Sequence, residues 1–201
     1  MLLRRPVEFA FIDPGSLVDG ELQLVTPEPR WVDAMLAAME HPLSRQEDPG
    51  LIVNRQQILH FLKIAPGGRQ LRDAINDRLP TYHFWLHLSS EFNPPLAICG
   101  AIGLRIGENE DTVRHYGHIG YNVFPAARGH HYAERASRLL LPLAKRHGMT
   151  ALWITCNPDN AASRRTCERL GAHYIDTVQI PLNHPLRSKG ECEKCRYRID
   201  L

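Results

Sequence analysis

From Tyr116 to Gly148 the chain spells out a strand (YGHIGYNVF), a turn (PAARGHHYA) and an amphipathic stretch. In that stretch Ala133, Ala136, Leu140, Leu143 and Ala144 recur at helical spacing. The helix is expected from about Gly129 to His147. Gly148 is a suitable stop, and Pro142 predicts a kink or a break. A short, mostly apolar strand follows at Ala151–Cys156, then a helix capped by Asn160 or Asp159 and ended by Gly171. Strands and helices alternating in this way bury their apolar faces against one another, which makes the fold mixed α/β.

Upstream, Glu21 to Val25 reads as a strand and Thr26 as an N-cap. Trp31, Val32, Met35, Leu36 and Met39 mark a first helix, His41 to Gly50 a polar loop and Arg55 to Ile64 a second helix. A further short helix is expected over Gln70 to Leu79. Three strands, Tyr82 to Leu88, Leu96 to Ile106 and Tyr116 to Phe124, are separated by hairpin-like stretches. Two late strands, His173 to Ile180 and Arg196 to Ile199, complete an order of β-α-α-β-β-β-α-β-α-β-β. No repeat or linker interrupts it, and 201 residues suit one core. Residues 1–201 therefore read as a single domain, with 1–19 a loosely packed lead-in.

The turn Arg128-Gly129-His130-His131-Tyr132-Ala133 opens a helix. A helix N-terminus has unpaired N–H groups and a dipole that favours anions, so small residues there let a phosphate reach the backbone. Gly117-His118-Ile119-Gly120-Tyr121-Asn122-Val123-Phe124-Pro125 followed by RGHHYA resembles motif A of the GNAT acetyltransferase superfamily, Arg/Gln-x-x-Gly-x-Gly/Ala. Arg128 fits its first position and Ala133 its last, while His131 replaces the central glycine. Asn160-Ala161-Ala162-Ser163 and Glu168-Arg169-Leu170-Gly171 resemble the downstream run of that family. The sequence is most similar to a bacterial branch that also carries the equivalents of Ile154-Thr155-Cys156 and Arg196-Tyr197.

The resemblance covers residues 117–171 and the last strand. It implies a central, mostly antiparallel sheet, splayed between the fourth and fifth strands and flanked by helices. Residues 117–171 would be the core that binds acetyl-CoA, the cosubstrate, in that splay. The pyrophosphate would lie on the backbone of Arg128, Gly129, His130, His131, Tyr132 and Ala133. Tyr121, Asn122 and Val123 would meet the pantetheine arm, with Asn160 and Ser163 beside it. A first helical turn needs no positive φ, so His131 is expected to keep its N–H in the cradle. Its ring, or that of His130, either adds a charged contact or turns outward.

Transfer to an amine benefits from a base, and the departing thiolate from an acid. The family often has a tyrosine seven residues after the asparagine. Here that place is taken by Cys167, which either donates a proton or simply packs. His118 shares strand parity with Gly120 and Asn122, so it is the candidate base, the other reading being a satisfied structural histidine. Tyr121, of opposite parity, packs in the core or reaches the cleft from the other side. Glu40, Glu47 and Asp48 would hold a cationic amine or form a solvated loop. Arg164-Arg165 would meet the 3′-phosphate or lie on the surface.

The formal net charge of +2 gives no argument for nucleic acid, and no window is apolar enough for a membrane span. MLLRRPVEFAFIDPG does not read as a signal peptide, so a cytoplasmic protein with five reduced cysteines is expected. Cys192-x-x-Cys195 with His184 is a weak zinc pattern, since structural sites want four ligands, and no metal is expected. The expected activity is acetyl-CoA-dependent N-acetylation of a primary amine, on a small molecule or a peptide, by direct attack. The alternatives are a non-catalytic acyl-CoA-binding or regulatory module and a zinc-stabilised interaction protein. Homodimers are common among similar proteins, but the chain itself does not indicate one.

Overall fold

A computed structural model of the chain describes residues 9–48, 54–73 and 77–201. In the N-terminal half, strands β1 (Val18–Asp19) and β2 (Leu22–Val25) precede helices α1 (Val32–Glu40), α2 (Pro42–Glu47) and α3 (Arg55–Ile64). Strands β3 (Arg69–Gln70), β4 (Thr81–Leu88), β5 (Ile98–Arg105) and β6 (Ile119–Val123) follow. The second half holds α4 (Tyr132–Arg146), β7 (Ala151–Cys156), α5 (Ala161–Arg169), β8 (His173–Gln179) and β9 (Glu193–Asp200). The strands form two antiparallel sheets, ordered β1-β2-β4-β5-β6, with β3 also on β4, and β7-β9-β8.

The two sheets meet at one seam. The His118 N–H donates to Trp153 O at 2.6 Å, and the Trp153 N–H donates to His118 Nδ1 at 2.9 Å. Among the described residues β6 pairs, beyond the seam, with β5 alone, and its other edge faces the splay. This is the splayed, mostly antiparallel sheet the resemblance implied.

Alternation along the strands sends Tyr82, Phe84, Leu86, Ile102, Leu104 and Ile119 to one side. There they pack with Ala136, Leu140, Leu143 and Ala144 of α4 and with Leu152, Ile154 and Tyr197 of the second sheet. Val25, Trp85 and Ile98 pack on the other side against Val32, Met35 and Ala38 of α1 and Ile58 of α3. Helices therefore cover both faces of the first sheet. No described helix is long and apolar enough to cross a membrane.

Several local expectations are corrected. α4 runs unbroken through Pro142, because the packing of its apolar stripe outweighs one lost hydrogen bond. Part of the expected loop after α1 is α2, whose Pro42 starts it and whose Ser44 hydroxyl donates to Ala38 O at 2.8 Å. In place of a helix over 70–79, Gln70 lies in β3 and Asp73 bridges Arg78, with 74–76 outside the described residues. The expected strand from Tyr116 begins at Ile119, because Thr112–Tyr116 is a π-helical turn ended by Gly117 at φ 69°. Of the supposed loose lead-in, 1–8 lie outside the described residues and 9–19 are tied down. The Tyr82 hydroxyl accepts from the Ile12 N–H at 2.7 Å and donates to Ile12 O at 3.0 Å. Arg135 of α4 pairs with Asp19 and Glu21, both at 2.7 Å.

Candidate active site

The splay opens a cleft of about 750 Å³ lined by Tyr121, Asn122 and Val123 of β6, the turn from Arg128 to Ala133, and α5 with the residues before it. Three features suit it to a phosphorylated, extended ligand. The first is the start of α4, where no side chain caps the helix and the Arg135 N–H makes the first bond, to His131 O at 3.0 Å. The N–H groups of Tyr132, Ala133 and Glu134 therefore lie before the first helical bond. The second is the unpaired edge of β6. The third is charge, since Arg128, Arg165 and Arg169 all line the cleft.

His131 departs from expectation. It sits at the N-cap with φ 59° and ψ 23°, in the left-handed region that favours glycine, next to Gly129 at φ 93°. The motif's central glycine is thus required by conformation here, and histidine adopts that conformation at a cost in strain. The ring is also occupied, because Arg169 Nη1–H donates to His131 Nδ1. His130 stacks on Tyr132, ring centroids 5.4 Å apart. Arg128 offers more than its backbone. Its Nε–H donates to Val123 O at 3.0 Å and its fork grips Glu47 at 2.8 and 2.9 Å. The Val123 carbonyl, expected to face pantetheine, is therefore already taken, and Glu47 belongs to this cleft.

On α5, the Ser163 N–H donates to Asn160 Oδ1 at 3.0 Å, which leaves the Asn160 amide N–H groups exposed at the cleft. The Tyr121 hydroxyl points at the same helix, 3.5 Å from Ser163 O. Burial raises its pKa, with the Cys167 thiol nearby adding to the effect. Arg164 turns away, to the Tyr197 hydroxyl at 3.2 Å, so of the arginine pair only Arg165 lines the cleft.

A second cavity, about 260 Å³, adjoins the first through Tyr121 and Asn122. Its floor is Ala101, Gly103 and Gly120, its walls include His83, Trp85 and Phe61 of α3, and Arg105 lies at one end. The His83 Nε2–H donates to Gln70 Oε1 at 3.1 Å, which leaves Nδ1 unprotonated. Burial first, then the Arg105 charge, holds its pKa down to about 4. His83 and Arg105 were not anticipated. The signal was there, since both share one face of adjacent strands with small residues at Ala101, Gly103 and Gly120. A larger cavity, about 850 Å³, lies at the opposite end of α4, near Phe9 and Met149.

Two expected proton carriers are placed elsewhere. His118 is fully buried, its Nδ1 accepting from Trp153 and its Nε2–H donating to Gly107 O at 2.9 Å. Burial lowers its pKa to about 4. With both nitrogens committed, His118 holds the seam, and the geometry does not support a base role. Cys167 is also fully buried, and its thiol is held protonated by a hydrogen bond with Cys156 and by burial. It packs and does not reach the cleft.

Cys192 and Cys195 diverge, the first exposed near Gly190 O and the second buried against Thr177 Oγ1 at 3.4 Å. A different cluster, Asp111, His115 and His184, has ligand atoms within 4.8 Å of one another. His184 Nδ1 accepts the Leu186 N–H at 3.1 Å, so its Nε2–H donates to Asp111 at 2.8 Å and offers no lone pair there. The group ties the π-helical turn to the C-terminal loop.

Comparison with known proteins is consistent with this geometry. The family model described as an acetyltransferase (GNAT) domain matches residues 23–173. Among solved structures, the microcin C7 self-immunity acetyltransferase MccE, in complex with acetyl-CoA and AMP, aligns with TM-score 0.64 at 16% identity over 91% of this chain and 94% of its own. A putative ribosomal-protein-serine acetyltransferase from Vibrio cholerae gives 0.64 at 16% over 94% and 100%. RimL, a ribosomal L7/L12 α-N-protein acetyltransferase in complex with coenzyme A, gives 0.63 at 14% over 92% and 96%. No curated protein matches significantly.

Proposed function

We propose, for a chain that belongs to the GNAT acetyltransferase family, an acetyl-CoA-dependent transfer of acetyl to a primary amine by direct attack. The observation that carries this reading is the junction of two cavities. The cleft between β6 and α5 suits the cosubstrate, and the cavity over β5 and β6 suits the acceptor. Tyr121 and Asn122 line both.

The residues fit acetyl-CoA. The N–H groups of Tyr132, Ala133 and Glu134 with Arg165 and Arg169 would hold the phosphates, and the free edge of β6 with Asn160 would hold the pantetheine. Bound there, acetyl-CoA supplies the thioester that the acceptor attacks. An attacking amine must be neutral. The cation Arg105 in the acceptor cavity disfavours an ammonium ion. His83 Nδ1 offers a weak acceptor for the proton the amine loses. The Tyr121 hydroxyl, kept protonated by burial and lying against α5 where Cys167 replaces the family's tyrosine, would protonate the departing thiolate. Phe61 of α3 supplies an apolar wall on one side of the acceptor cavity.

The test is thiol release from acetyl-CoA with a panel of amines, with mass-spectrometric detection of the N-acetyl product. Amine-dependent turnover is expected. Tyr121→Phe should lower kcat by roughly 100-fold and leave acetyl-CoA binding within about threefold. Tight acetyl-CoA binding without turnover on any amine would favour a non-catalytic CoA-binding module.

A further inference from the structure

We propose that the acceptor is an amine that also carries an anionic group, a carboxylate or a phosphate, and that Arg105 binds that anion. This rests on the reading of the β5–β6 cavity as the acceptor site.

Arg105 is a half-buried cation with no carboxylate in hydrogen-bond reach among the described residues: Asp111 acts on it only at longer range, and Arg78 adds a like charge. Its Nη1–H donates to Gly117 O at 2.9 Å and its guanidinium lies over the Tyr116 ring at 5.7 Å. Those are its side-chain partners among the described residues, and neither is a carboxylate. Asp111, the nearby acid, is already engaged by His115 at 2.7 Å and His184 at 2.8 Å. A guanidinium has five N–H donors in a planar fork, and most of this fork is left for a ligand.

The cavity is built to admit that ligand. A methyl group on Gly120 would lie 3.6 Å from Arg105 Nη1, and one on Gly103 would lie 3.5 Å from His83 Nδ1. Glycine at both positions keeps the floor open beside the cation. Among the described residues, no aspartate or glutamate lines the cavity. Glu47, a candidate for gripping a cationic amine, is held by Arg128 in the other cleft. A polycationic acceptor would therefore meet Arg105 with nothing to balance it, whereas an anion would meet a preformed, charge-assisted fork.

The register also sets a spacing. Gly120 lies beside Arg105, and Asn122 lies where the cavities join. Two residues of strand span about 7 Å. The amine and the anion of the acceptor are thus separated by several bonds.

The probes are 4-aminobutyrate, its primary amide, 2-aminoethyl phosphate and spermidine. Each is titrated into the full chain by calorimetry, alone and with CoA, and each is assayed for turnover with acetyl-CoA. An anionic probe should exceed the neutral amide by about tenfold or more in affinity and in kcat/KM, with spermidine weakest. The better of the carboxylate and phosphate probes identifies the anion. Arg105→Gln should reduce that preference to less than about threefold through KM, with acetyl-CoA affinity unchanged. Gly120→Ala, which leaves the cation in place and narrows its surroundings, should weaken the anionic probe more than the amide. Equal or better binding of the amide or of spermidine, or an anion preference that survives Arg105→Gln, overturns the proposal. Failure of acetyl-CoA itself to bind would instead count against the acetyl-transfer reading, since probe binding is measured without it.

Discussion

His131 tests how far one backbone conformation governs the cosubstrate cleft. At φ 59° it occupies a position that glycine takes without strain, and its ring meets Arg169. His131→Gly should leave stability within about 1 kcal/mol, relief of strain offsetting the extra freedom of the unfolded chain. It should also preserve acetyl-CoA affinity. A β-branched residue cannot adopt this geometry cheaply, so His131→Val should cost at least about 1–2 kcal/mol in urea denaturation and weaken acetyl-CoA. Equal behaviour of the two variants would show that the left-handed conformation is unimportant. His118 makes the complementary case. Removing its ring orphans the Trp153 N–H and Gly107 O, so His118→Ala should cost about 2–5 kcal/mol. The motif reading found both histidines, but the φ of one and the buried bonds of the other depend on the turns at Gly129 and Gly117, which spacing alone does not encode.

The same histidines set a pH dependence. His118 and His83 are each held near a pKa of about 4, against an ordinary value of 6.5, chiefly by burial. The unfolded chain therefore binds more protons between those values. Their contribution is complete above pH 6.5 and is lost as pH falls through about 4. It amounts to roughly 3 kcal/mol per fully shielded histidine, less for the half-buried His83. Urea midpoints should fall steadily across that window, and His118→Asn should flatten the fall. A flat midpoint from pH 7 to 4.5 would contradict the burial argument.

Among the elements, α4 is fixed near its start by contacts that lie far off in sequence. Arg135 straps it to β1 and β2 through Asp19 and Glu21, and the arginine holds the Glu21 carboxyl down to about 2. Arg135→Ala should cost about 1–3 kcal/mol at neutral pH, with the loss shrinking as Glu21 is protonated below its ordinary value. Thermal melts at pH 7 and pH 3 check this, and an equal loss at both would rule out the ion pairs as the cause. α2 meets the cleft through the exposed Glu47–Arg128 pair. Such a pair adds under about 1 kcal/mol of stability. Its acid, however, sits beside the phosphate cradle, so Glu47→Gln should tighten acetyl-CoA binding severalfold, as calorimetry would show. β6, α4, β7 and α5 were legible because strong local periodicity and a short motif coincide there. α2 was not, because PLSRQE is polar and six residues long and is held by tertiary contacts. β3 was missed because it is two residues long and its pairing partner β4 lies across residues 71–80.

In the whole molecule, two antiparallel sheets are joined at the His118–Trp153 seam and held apart beyond it. The free edge of β6 and the uncapped start of α4 face the same space. The element order read from the sequence leads to this arrangement, but the placement of β9 between β7 and β8 and the cavity between Phe61 and β5–β6 are products of long-range packing. The central claim is that the space between the sheets binds acetyl-CoA. Isothermal titration of acetyl-CoA into the protein, with ATP as a control and Arg169→Glu as a variant, tests it most directly. One site per chain with micromolar affinity is expected, with no comparable binding of ATP and at least about tenfold weaker binding in the variant. The absence of binding at pH 6 and at pH 8, or equal binding of ATP, would contradict it.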